Sequence, residues 1–303
     1  MALDLTDLRK ALVANHPVVL VAPPGTGKTT TIPPALLDEP WMAGKKILVL
    51  EPRRLAARRA ALYIAQQRGE KPGETIGWRV RLDSCVSDQT RIEFLTEGLL
   101  TRRILEDPEL SDVGLIIFDE FHERALALDT AFALLKEVRE SFRPDLRLIV
   151  MSATLQTDIL PEATFLDIPG KAYPVEIRWC GHLSPLTAVL KALRETTGSL
   201  LVFLPGEGEI KALADHLRAE VLPPNVHIAP LYAALPPAEQ DRAVAPARPN
   251  ERKIVLATSI AESSLTIEGV EVVIDTGLAR VPQFSSRNGL TRLVTQQDRK
   301  SVV

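Results

Sequence analysis

The chain has 303 residues, 46% of them hydrophobic and 25% charged, so it can bury a full core and is long enough for two domains. Its formal net charge of −3 excludes a global basic footprint, and any contact with nucleic acid has to be local. The start, MALDLTDLRK, lacks the basic flank and apolar stretch of a secretory signal, no run reaches bilayer-spanning length, and Cys85 and Cys180 have no His at ligand spacing; a cytoplasmic chain without membrane, disulfide framework or metal cluster is expected.

In chain order, Val18 to Val21 reads as a short β-branched strand, Pro-Pro-Gly-Thr-Gly cannot continue it, and a helix starts at Lys28. Strand, loop and helix in that order are the context of a phosphate-binding loop. The small residues Gly25, Thr26 and Gly27 let backbone N–H groups turn towards a polyphosphate such as that of ATP, and the helix start at Lys28, Thr29 and Thr30 adds its positive dipole end. Lys28 is placed to reach the β and γ phosphates and Thr29 to hold Mg²⁺. The pattern GxxxxGK[ST] asks for Gly where this chain has Ala22, and an ordinary Gly-rich turn is the other reading.

The next strands end in polar clusters. KILVLE runs into Pro52, Arg53 and Arg54, with Arg58 and Arg59 read as a solvated helix face. RIEFL leads to Thr96-Glu97-Gly98, which by itself passes as a helix N-cap. The run before Asp119 and Glu120 reads as a strand of a parallel sheet buried on both faces. Alone, the two acids are a strand meeting solvent; beside a phosphate loop, Asp119 becomes the Mg²⁺ carboxylate and Glu120 the general base for attack on the γ phosphate. Hydrolysis explains neither Phe121 nor His122. After LRLIVM, the hydroxyls of Ser152 and Thr154 read as capping a turn.

The Pro and Gly content of LDIPGKAYPVEIRW marks a boundary, giving domains 1–170 and 171–303. Beyond it SLLVFL, NVHIAPL, KIVLATS and VEVVID repeat the alternation of short apolar strands with helical or loop segments, a second parallel sheet without a phosphate loop. Asn288-Gly289 between two β-rich runs signals a hairpin, with Pro282 placing its first strand at an edge.

Together APPGTGKTT, EPRRLAARR, TEGLL, DEFHER, SAT and ATSIAESSLTI resemble, in order, the motifs of superfamily-two helicases, in particular DEAH-box ATP-dependent RNA helicases. The DEFH box, EPRR and VIDTGLARVP are most similar to the bacterial HrpB type, and the resemblance runs from Leu8 to Gln296. It removes the concern over Ala22, since this superfamily's loop commonly reads AxxGxGKT. It implies an α/β fold of two RecA-like parallel-sheet P-loop NTPase domains in tandem, facing each other, with ATP and Mg²⁺ between them and single-stranded RNA across both. Arg53, Arg54, Thr96, Thr258 and Ser259 are then RNA-backbone contacts, although the family usually has Asn at the place of Ser259. Ser152, Thr154, Ser264 and Thr266 couple nucleotide state to the RNA path, and His122 communicates between domains. The hairpin is implied to lie against nucleic acid; its plain reading as a surface hairpin is compatible with that. Protein partners are not implied.

After RLVTQ the resemblance leads to an expected QRxGRxGR segment, whose arginines reach the γ phosphate and are worth roughly 10³ to 10⁵ in rate in related sites. The chain reads QDRKSVV there, and its Asp-Arg-Lys-Ser-Val-Val is a peptide that one frame of a common sequencing-library adapter also encodes, so an assembly artefact is one reading of the tail. The expectation is an N-terminal portion of a helicase, its second domain incomplete and its hydrolysis weak. The alternatives are a nucleotide-dependent RNA-binding fragment without turnover, or another P-loop remodelling ATPase.

Overall fold

The computed structural model describes residues 4–23, 25–154, 160–170, 174–262 and 265–298. The chain divides into two compact units, Met1–Tyr173 and Pro174–Val303.

The first unit contains α1 (Thr6–Val13), β1 (Val18–Val21), α2 (Lys28–Leu36), β2 (Lys46–Leu50), α3 (Arg54–Arg68), β3 (Ile76–Val80), β4 (Asp83–Cys85), β5 (Ile92–Leu95), α4 (Glu97–Glu106), β6 (Val113–Phe118), α5 (Leu126–Ser141), β7 (Arg147–Ser152) and β8 (Thr164–Asp167). The strands form one sheet in the order β4-β3-β5-β2-β6-β7-β1-β8, parallel except for the short β3–β4 pair. Continuous apolar runs such as VGLIIF in β6, buried at every position, require cover on both faces. One core layer unites Leu8, Leu12, Ile32, Leu36 and Ile64 with one face of the strands; the other gathers Leu100, Leu128, Phe132 and Leu135 on the opposite face.

Because β1, β2, β6 and β7 run parallel, their C-terminal ends lie along one edge of the sheet. That edge is where an open α/β sheet collects a ligand site. Two prolines, Pro33 and Pro34, sit inside α2, so the carbonyls of Thr29 and Thr30 lose their helical N–H donors.

The second unit contains α6 (Pro185–Glu195), β9 (Ser199–Phe203), α7 (Glu207–Ala219), β10 (Val226–Leu231), α8 (Pro237–Val244), β11 (Arg252–Ala257), β12 (Val270–Asp275), β13 (Leu278–Ser285) and β14 (Leu290–Gln297). Four parallel strands run in the order β10-β11-β9-β12 over a core of Val189, Val202, Ile210, Leu213 and Leu256. Ser184 caps α6, its hydroxyl accepting from Thr187 N. Buried Lys253 donates to the carbonyls of Ala243 (2.7 Å), Arg242 (3.1 Å) and Ala245, closing the C-terminal end of α8. At the sheet edge, β12 leaves Val273 exposed.

Strands β13 and β14 form the hairpin, Pro282 lying opposite Leu293. Its turn differs from a two-residue Asn-Gly turn. Ser285 pairs with Leu290, and both Asn288 N (3.3 Å) and Gly289 N (2.9 Å) donate to Ser285 O. Of the pair, only Gly289 takes a positive φ.

Arg58 corrects the sequence reading of a solvated pair. It is 7% exposed and stands 4.0 Å from Asp83, since α3 turns this position towards the β3–β4 pair rather than water. Arg59 is half-buried.

In the first unit, buried Arg143 donates to the carbonyls of Glu109 (2.7 Å), Leu110 (2.7 Å) and Val113 (3.0 Å) and holds Asp145. The Arg143 guanidinium keeps the Asp145 carboxyl well below the usual carboxylate range. Replacement by Ala leaves buried acceptors without a donor, and chemical denaturation of Arg143→Ala is expected to show a loss of about 2–4 kcal/mol. Arg143→Lys should recover only part of it, because one ammonium cannot reproduce the fork of donors.

Candidate active site

The loop after β1 ends in two glycines of left-handed conformation, Gly25 and Gly27, both at φ 77°, which an L side chain rarely adopts. Thr26 Oγ1 bonds back to Pro23 O (3.0 Å), and Thr30 Oγ1 to Gly27 O (3.3 Å), so the loop is closed by its own polar groups. This geometry delivers Lys28 and Thr29 at the first turn of α2, where backbone N–H groups lack helical partners.

The end of β6 supplies the other half. Lys28, 4% exposed, stands with Nζ 3.0 Å from Glu120 Oε1. The Thr29 hydroxyl donates to Asp119 Oδ2. Asp119 Oδ1 accepts from Glu120 N (2.8 Å), and Asp119 N bonds Leu50 O (3.0 Å) on β2. Burial raises the Asp119 carboxyl above its ordinary range, and the Glu120 charge adds to that, against Lys28 and Thr29. Glu120 has φ 50°, a left-handed backbone that costs free energy in a non-glycine residue and is held by the structure around it.

Phe121, unexplained by chemistry, is an anchor. It is 1% exposed and packs edge-on against Phe118 (5.9 Å between centroids) and Phe132 (5.0 Å), fixing the strand end on α5. His122 takes part in the site. Its Nε2 lies 3.4 Å from Glu120 Oε2, and its Nδ1 accepts from Ala153 N (3.2 Å) after β7. There Ser152 Oγ donates to Thr154 O (2.7 Å) and accepts from Thr154 N (3.2 Å), so the Ser152 hydroxyl holds the turn beside the His122 bond.

One residue escaped the sequence reading. Glu51, directly after β2, is 1% exposed, and its Oε2 is enclosed without a protein donor. Burial, then the charges of Asp119 and Glu120, push its carboxyl well above the ordinary range. Glu51 opens the EPRR motif, but the motif by itself gives that Glu no role. Only the strand order β2-β6 reveals its neighbour.

The expected nucleic-acid contacts are placed less uniformly. Arg53 meets Glu123 of the DEFHER segment, Nη2 to Oε2 3.5 Å, which links it to the site's neighbourhood. Exposed Arg54 donates Nη1 to Arg81 O (3.4 Å). Thr96 occupies the N-cap position of α4, but its side chain makes no capping bond. In the second unit, half-buried Thr258 bonds Leu231 O through its N–H (3.2 Å), Ser259 is exposed and opens a 3-10 turn, and Thr266 is exposed. Ser264 lies outside the described residues.

Among the described residues no helix is long and apolar enough to cross a membrane. Residues 7–160 match the family model described as DEAD/DEAH box helicase, and residues 182–299 match the helicase conserved C-terminal domain. The chain is 47% identical over 308 aligned positions to "ATP-dependent RNA helicase HrpB" of Escherichia coli (strain K12), covering 98% of this chain and 38% of that protein. The crystal structure of the E. coli DEAH/RHA helicase HrpB superposes with a TM-score of 0.87 at 47% identity, over 97% of this chain and 39% of that one. A second, described as the E. coli DExH-box NTPase HrpB, gives 0.78 at 46% identity, over 98% and 38%. A phosphate loop facing the acids of the DEFH box, within two α/β units that match the tandem RecA-like helicase fold, agrees with these matches: the chain belongs to the DEAD/DEAH box helicase family.

Proposed function

We propose that the chain is the ATP-binding and RNA-binding portion of an ATP-dependent RNA helicase, and that ATP is hydrolysed at the β1–α2 loop and the end of β6. The observation that carries this reading is the meeting of Lys28 and Thr29 with Asp119 and Glu120, three of the four buried, in one site. The donor set fits Mg²⁺: a hydroxyl and a carboxylate are hard oxygen ligands, and Mg²⁺ is usually held by one or two such groups with phosphates and water. Thr29 and Asp119 would hold it, and when bound it neutralises charge developing on the phosphates.

The chain's own groups then divide the work. Gly25 to Thr30 present N–H donors to the phosphates, and Lys28 supplies a buried cation whose field water does not screen. Glu120 accepts the proton of the attacking water at a carboxylate oxygen, oriented by His122. Through Ala153, His122 ties that carboxylate to the Ser152–Thr154 turn, which supports the coupling role given to Ser152 and Thr154. On this reading Ser264 and Thr266 serve the same purpose in the second unit, while Arg53, Arg54, Thr96, Thr258 and Ser259 contact the RNA backbone. Family membership supports that assignment.

ATP hydrolysis with and without single-stranded RNA tests the proposal. Turnover, expected to be weak in this chain, should fall at least 100-fold further in Glu120→Gln and in Lys28→Ala. ATP and RNA binding without any turnover would favour a nucleotide-dependent RNA-binding module, and turnover indifferent to RNA would favour another remodelling ATPase. Replacing Arg53 and Arg54 by Ala should weaken RNA binding at every sequence and lower the slope of log K against log[salt] by about 0.7 for each phosphate that is no longer neutralised. Shortening the β13–β14 hairpin should reduce RNA unwinding more than ATP hydrolysis, and equal reductions would count against a role in strand separation.

A further inference from the structure

Glu51 is a third carboxylate in the nucleotide site that the hydrolysis scheme leaves without work. Leu50 lies opposite Phe118 in the parallel β2–β6 pairing, and Asp119 N bonds Leu50 O, so Glu51 and Asp119 follow one another's strands at the same level. Glu51 N is itself fixed by Leu95 O (2.9 Å) on β5, so the residue is held on both sides by the sheet. Neighbouring positions at one level of a parallel pair stand about 4.8 Å apart, with side chains on the same face. Glu51 is 1% exposed, with Asp119 at 0% and Glu120 at 7%.

Three buried acids share the single ammonium of Lys28, an arrangement that protons on the carboxyls or a second cation must balance. Among the described residues no group of His, Cys, Asp or Glu side chains converges as a ready-made metal cage. A metal here would therefore draw on Thr29, Asp119 and the nucleotide, and would keep part of its water shell. Those waters need acceptors, and Glu51 Oε2 is a buried acceptor that no protein donor reaches.

Resting on the nucleotide-site reading above, we infer that Glu51 is a positioning residue for the divalent cation: it braces Asp119 from the adjacent strand and accepts a hydrogen bond from a cation-bound water. Groups that support metal ligands in this way are typically worth 10–100-fold in metal affinity. The role is confined to the metal, so nucleotide held by the loop alone should not depend on it.

Titration with a fluorescent ADP analogue, in EDTA and across a Mg²⁺ series, separates the two contributions. Native protein is expected to bind the analogue more tightly as Mg²⁺ rises. In Glu51→Gln the Mg²⁺ concentration for half-maximal tightening should increase at least tenfold, with affinity in EDTA changed less than twofold. Direct Mn²⁺ binding, followed by loss of its electron paramagnetic resonance signal, should weaken in parallel. Glu51→Asp, which keeps the charge on a shorter arm, should fall between the two and guards against a folding defect in the Gln variant. An unchanged Mg²⁺ dependence in both variants, with native protein responding, overturns the role of Glu51 and leaves the nucleotide site intact. No analogue binding by native protein with or without Mg²⁺ overturns the nucleotide-site reading, and the role of Glu51 with it.

Discussion

The interaction on which the first unit's site depends is the burial of the Lys28 ammonium among carboxylates. An unpaired ammonium cannot be taken out of water at acceptable cost, and neither can a cluster of acids. Each makes the other tolerable, and the pairing is possible only because β1 and β6 run parallel within one sheet, with β7 between them, so that the segments leaving both strands emerge on the same edge. The two apolar layers above and below the sheet hold this register, since a slip of one residue would exchange the side chains packed in one layer with those packed in the other.

Much of this was legible in the amino-acid order. Two glycines before Lys28 announce a loop of positive φ, and an apolar run such as VGLIIF that stops at two acids announces a buried strand with a polar end. What the order could not carry was lateral adjacency. Glu51 reads as any acid after a strand until β2 is known to lie against β6. Arg58 reads as a surface cation until the β3–β4 pair brings Asp83 to α3. Phe121 is anomalous among the charged residues of DEFHER until Phe118 and Phe132 close around it. In each case the deciding partner is distant along the chain or set by packing, and spacing alone does not encode it.

The hairpin shows a finer limit. Asn-Gly foretold a reversal, but a four-residue connection with one left-handed glycine satisfied the same strand pairing, so turn chemistry fixed the location without fixing the geometry. Resemblance of motifs identified the family without describing how Glu123 and Arg53 meet. The side-chain contacts supply that part, and they place Arg53 of EPRR against Glu123, the residue after the DEFH box.

The histidine contact has one more consequence. Since Nδ1 of His122 accepts the Ala153 N–H, the neutral ring carries its hydrogen on Nε2, the nitrogen facing Glu120. The imidazole thus behaves as a rigid strut with a fixed polarity, one end grasped by a peptide and the other presenting a hydrogen to a carboxylate. A strut transmits displacement without needing to change its own shape. Any tilt of the turn beyond β7 would rotate the ring and draw Nε2 away from Glu120, so the place of that contact is set by the main chain of a neighbouring strand.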